Sequence, residues 1–138
     1  MMPDYDGLRF GPEPLVPGAV TGHYRQVRDL VTAEFGGGLV RTGRLVGTVD
    51  ERGVIDAGYC QIMRDGEVVA GRCLSTPSLL ADGRIVLTER WQRCDGSSGV
   101  SRIVQLAGMP LTDVPLTDVP LTDLTAGAET GTTLGAPK

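Results

Sequence analysis

Glu89, Arg72 and Tyr59 are the side chains of this chain best suited to moving a proton without a cofactor. A carboxyl group takes or gives a proton, a guanidinium stabilises developing negative charge, and a phenol donates a hydrogen bond. Together they suit cyclisation or isomerisation of a small, largely apolar metabolite, with Tyr24, Gln61, Trp91, Leu45 and Leu74 as the walls that hold it. His23 is the single histidine. Its ordinary pKa lies near neutrality, which makes it a further acid–base candidate. A carrier or sensor that binds the same molecule without reacting would use the same residues. A filled barrel serving a structural or interaction role is the third reading.

Other chemistries find less support. One histidine and three cysteines without CxxC spacing give no metal set, and no cofactor motif is present. The run Asp95-Gly96-Ser97-Ser98-Gly99 has the wrong spacing for a nucleophile elbow, and Gly36-Gly37-Gly38 is followed by a strand-like segment where a phosphate cradle needs a helix. A net charge of -4 and 4% aromatic residues disfavour nucleic acid, which needs clustered cations and stacking platforms. No segment approaches the roughly 18 apolar residues of a membrane-spanning helix. The odd cysteine count fits a reducing compartment, so a cytoplasmic protein is expected.

These residues must be positioned by strands. Twenty glycines and nine prolines suit many short strands joined by tight turns. Runs rich in Val, Ile and Thr occupy 19–26, 30–35, 38–49, 54–64, 67–76, 84–92 and 99–106, with a short strand possible at 7–10. The expected architecture is all-β, an antiparallel up-and-down barrel of about eight strands of the lipocalin or streptavidin kind. A Pro-rich lead-in (1–18) precedes the barrel (19–107). A tail (108–138) follows, with Pro110, Pro115 and Pro120 opening copies of a five-residue repeat. Proline at that spacing forbids a regular element, so disorder is expected there. Leu111, Leu116 and Leu121 offer the alternative of a docking segment.

The turns set which residues face inward. Asp50-Glu51-Arg52-Gly53 reads as a three-residue loop that places Leu45 opposite Tyr59 and Gly43 opposite Gln61. Asp65-Gly66, Asp82-Gly83 and Asp95-Gly96 read as two-residue type I′ turns. For the first of these, Tyr59 then faces Arg72 and Ala57 faces Leu74, and one face collects Leu45, Ala57, Tyr59, Gln61, Ala70, Arg72 and Leu74. Carrying odd numbering past Pro77 adds Glu89 and Trp91. Cys60 and Cys73 fall together on the other face.

From about 22 to 105 the chain resembles small bacterial proteins labelled putative N-acetylglutamate synthase. The resemblance rests on His23-Tyr24-Arg25-Gln26, Gly43-Arg44-Leu45-Val46-Gly47, Val49-Asp50-Glu51 and Gly71-Arg72-Cys73-Leu74-Ser75-Thr76-Pro77. It continues through Asp82-Gly83-Arg84-Ile85, Leu87-Thr88-Glu89-Arg90-Trp91-Gln92 and Asp95-Gly96-Ser97-Ser98-Gly99. Those relatives carry an aromatic residue and paired histidines where this chain has Cys60 and Gln61. The resemblance implies a compact β-barrel unit. From the lumenal residues themselves, a small-molecule ligand is the expected partner, and short-looped barrels that pair side to side make a homodimer the expected assembly.

Overall fold

The computed structural model describes residues 3–106. Eight strands, β1 (Arg9–Gly11), β2 (Thr21–Val27), β3 (Leu30–Gly37), β4 (Val40–Val49), β5 (Ile55–Met63), β6 (Val68–Leu79), β7 (Ile85–Arg93) and β8 (Ser98–Gln105), form one antiparallel ring. Each strand pairs with its neighbours in sequence, and β8 pairs back onto β1 through Phe10 opposite Gln105 and Gly11 opposite Val104. The all-β up-and-down barrel expected from the sequence is therefore the observed fold. Closure leaves no strand edge open for pairing. The repeat expected to form a tail, with Leu111, Leu116 and Leu121, lies outside the described residues.

Four hairpins share one turn. The Gly53, Gly66, Gly83 and Gly96 amides donate to the carbonyls of Asp50, Met63, Leu80 and Arg93, three residues earlier. Each of these glycines sits at a φ between 83° and 95°, while the aspartates of the Asp-Gly pairs keep negative φ. This is a type I turn followed by a left-handed glycine, a three-residue loop, and not the two-residue type I′ turn expected at Asp-Gly. The aspartate side chain selects it. Asp65, Asp82 and Asp95 each accept a hydrogen bond on Oδ1 from the amide two residues on, a local capture that satisfies the turn's backbone.

One added loop residue at 64–66 moves the β5/β6 register by one and inverts β6. Tyr59 pairs with Gly71, Ala57 with Cys73 and Gln61 with Val69, whereas Arg72 faces Gly58 and Leu74 faces Asp56 on the outer wall. The expected lumenal placement of Arg72, Leu74 and Ala70 is therefore corrected. Leu45 opposite Tyr59 and Gly43 opposite Gln61 stand as expected. Pro77 pairs with Leu87 inside an unbroken ladder, so odd numbering continues through β7 and Glu89 and Trp91 take the inner side.

The lead-in does more than extend toward β1. Tyr5 is fully buried against Phe10 and Tyr24, with ring centroids 6.3 and 6.2 Å away. Its hydroxyl donates to the Gly53 carbonyl at 2.6 Å, and its amide donates to Gln26 Oε1 at 3.0 Å. The aromatic ring thus stops the barrel end that carries the β4/β5 turn. Tyr5→Phe should cost about 1 kcal/mol through the lost hydrogen bond. Tyr5→Ala should cost roughly 3–5 kcal/mol because it also opens a cavity. Urea melts of the two variants, read by Trp91 fluorescence, check this ordering.

Candidate ligand-binding site

The inner wall is largely apolar, with a few polar side chains set into it. Glu89 on β7 lies between Ser75 of β6 and Ser101 of β8 in the ladder, and all three side chains are buried. The neighbouring row holds Ala57, Cys73, Trp91 and Gly99. Small residues here leave room for large ones: a Cβ at Gly99 would sit 2.4 Å from the Trp91 ring, and one at Gly43 would sit 2.2 Å from the Phe35 ring. Trp91 is fixed across Gly99 by donating from Nε1 to Ser101 Oγ at 3.0 Å, and the Arg93 guanidinium lies 5.8 Å from the ring centroid.

Glu89 carries the chemistry of this lumen. It is 1% exposed, and neither carboxyl oxygen has a hydrogen-bond partner among the described residues. Burial without a compensating cation disfavours the charged form and raises its pKa to about 8. Across the lumen, the Tyr24 hydroxyl on β2 is also buried without a partner. Its pKa is pushed well up, first by burial and then by the Glu89 charge. β2 and β7 are not ladder neighbours. Their interaction therefore passes through the barrel interior.

The remaining polar groups form a shell around this pair. The Cys73 thiol is held protonated by burial and by Glu89, and it lies 3.6 Å from Ser75 Oγ. Burial also raises the Tyr59 pKa. The neighbouring Arg93 guanidinium opposes that rise without forming a hydrogen bond of normal geometry. Gln61 donates from Nε2 to Met63 Sδ at 3.4 Å. Leu45 completes the apolar wall beside Tyr59.

Of the residues singled out from sequence, the lumen unites Glu89, Tyr59, Tyr24, Gln61, Trp91 and Leu45. Two lie elsewhere. Arg72 forms a two-pronged ion pair with Asp56 on the outer wall, Nε to Oδ1 at 3.1 Å and Nη2 to Oδ2 at 3.0 Å. Leu74 is exposed beside it. His23 also faces outward, into a shallow concavity shared with Arg25, Glu34 and Arg44. Cys60 is exposed and Cys73 buried, so the two cysteines occupy opposite faces, contrary to their expected grouping.

Sequence reasoning missed Cys73, Ser75 and Ser101 as lumenal groups. The available signal was the Asp50–Gly53 loop: reading Arg64-Asp65-Gly66 by the same three-residue rule turns Cys73 and Ser75 inward. The outer wall also carries a concavity bounded by Asp56, Gly58, Arg72 and Gln92. Its Asp56 and Arg72 neutralise each other in reach of water, so it makes no comparable demand for a guest.

A family model described as avidin-like protein matches residues 3–106. The chain belongs to this family of β-barrels, which bind small ligands and often form oligomers. No curated protein and no solved structure matches it significantly. The match spans the lead-in and all eight strands, which supports the β-barrel unit implied by the resemblance seen in the sequence.

The buried carboxyl has a measurable signature. A folded-state pKa of about 8, against 4.5 for an ordinary glutamate, means that the folded chain holds a proton that the unfolded chain releases. Glu89 therefore favours folding most below the unfolded pKa, and this contribution is lost as pH rises from 4.5 to 8, at up to about 1.4 kcal/mol per unit. Glu89→Gln should remove that slope. Urea midpoints at pH 5, 7 and 9 for both chains check it, and parallel pH profiles contradict it.

Proposed function

We propose that the protein binds a small molecule in the barrel lumen, with Glu89 and Tyr24 as the polar anchors and Tyr59, Trp91 and Leu45 as the apolar surround. The observation that carries this is the pair of buried polar groups, on strands three steps apart round the ring, whose hydrogen-bonding atoms have no partner among the described residues. Leaving such atoms unmatched costs about 1–3 kcal/mol each, a cost that a complementary guest recovers. Eight strands enclose room for side chains together with at most one small ligand. Membership of the avidin-like family supports the same reading.

A second reading, acid–base catalysis on the bound molecule, is favoured by one observation. Glu89, with its pKa at about 8, is poised to exchange a proton near neutral pH in a site screened from bulk water. Arg72 takes no part in it, because its charge is spent on Asp56 outside the barrel. The residues left for a cyclisation or isomerisation are Glu89 as acid or base and the Tyr24 and Tyr59 hydroxyls as donors.

Screening a fragment and metabolite set by thermal shift, with Trp91 fluorescence as the second readout, tests the binding reading. Lumenal ligands should raise the melting temperature of the native chain and of Arg72→Met alike. Ala57→Leu, which fills the lumen beside Cys73, should abolish the response while remaining folded by circular dichroism. Ligands that bind Ala57→Leu as well as the native chain would place binding outside the barrel. For the catalytic reading, mass spectrometry of incubated ligands should reveal product, with Glu89→Gln slower by about a hundredfold or more. Recovery of unchanged ligand throughout leaves a carrier.

A further inference from the structure

We infer that the lumen selects a ligand bearing a flat organic cation of the amidinium or guanidinium type on an apolar body, which docks both its N–H groups on the two carboxyl oxygens of Glu89. The inference rests on the binding function proposed above and names the chemical class that the site would take. Its basis is geometric. The two Glu89 oxygens are buried side by side, both are acceptors when the group is ionised, and neither has a donor among the described residues. A two-pronged N–H donor matches a carboxylate in both spacing and charge. Groups that offer one N–H or none would leave one oxygen unmatched.

The surroundings favour a cation. The titratable groups that face Glu89 are Tyr24 from β2 and Cys73 from β6, and both are held in their neutral, protonated forms. Ser75 and Ser101 flank it in the ladder and carry no charge. Arg93 and Tyr59 pair across the adjoining row with Gly71 between them, and the nearest effect of that guanidinium is on Tyr59. A cation at Glu89 thus meets one acid together with the neutral Tyr24 hydroxyl and Cys73 thiol. An anionic ligand would meet the opposite field.

The proton balance follows. In the free protein at pH 7 Glu89 is largely protonated. Binding a cation ionises it and releases one proton to solvent, so affinity should rise with pH and level off above about 8. A neutral ligand hydrogen-bonded to the protonated acid would show the reverse.

Benzamidine and benzamide, alike in shape and different in charge, test the inference on the full chain by isothermal titration between pH 6 and 9. Benzamidine should bind at least tenfold more tightly than benzamide at pH 8, and its affinity should rise close to tenfold from pH 6 to 7. Glu89→Gln should erase both the preference and the pH dependence while keeping the native circular dichroism. Equal binding of the two probes, tighter binding of benzamide, or a preference that survives Glu89→Gln overturns the inference while leaving lumenal binding intact. No binding of either probe overturns it as well. Lumenal binding would itself fall only if, in the fragment screen, no compound distinguished the native chain from Ala57→Leu.

Discussion

Closing eight strands into a ring forces every second side chain into a narrow, water-poor lumen, and in this chain that alternation carries a glutamate to the middle. All else in the site adjusts to it. Burial without a nearby cation keeps the Glu89 carboxyl protonated near neutral pH, and burial first and Glu89 second raise the pKa of Tyr24 and Cys73. An unmatched acid is costly to bury, and mutation data place the penalty for stranding a buried charge at roughly 3–5 kcal/mol. The chain lowers that cost by neutralising the group. It does not remove the demand for a partner.

The scaffold tolerates this demand because its ends and walls are otherwise well matched. Tyr5, Phe10 and Tyr24 form a tilted aromatic cluster at one end, with Phe10 and Tyr24 edge-on at 5.1 Å. Aromatic pairs of this geometry add about 0.5–1.5 kcal/mol beyond the area they bury. On the outside, charges are paired near water, as in Arg72 with Asp56 and Arg84 with both Asp82 and Glu13. In the lumen, by contrast, both oxygens of the Glu89 carboxyl are buried without a hydrogen-bond partner among the described residues. That contrast is the reason the ligand site is proposed in the lumen and not in the surface concavities.

The barrel was legible because its evidence is local: β-branched runs, glycines and aspartates mark strands and turns one at a time. The β4/β5 register followed from the Asp50–Gly53 loop, and the greater side-chain volume of the face holding Leu45, Tyr59 and Gln61 marked it as the inner one. The error at β6 came from a single loop residue. Asp65-Gly66 satisfies the residue preferences of two turns, and the choice between them depends on Asp65 capturing the Glu67 amide, a contact that composition does not reveal. One residue of register then exchanged Arg72 for Cys73 in the lumen. The role of Tyr5 was hidden for another reason: plugging a barrel end is a long-range contact with Gly53, 48 residues away.

The account stands on the ionisation of one carboxyl. Carbon-13 NMR of the Glu89 side-chain carboxyl in the full chain, titrated from pH 3 to 10, measures it directly, with Glu89→Gln used to assign the signal. A midpoint near 8 is the predicted result. A midpoint in the ordinary range near 4.5 would mean that Glu89 is already matched by solvent or a protein cation, and the lumen would then lack the unmet group on which its ligand chemistry depends.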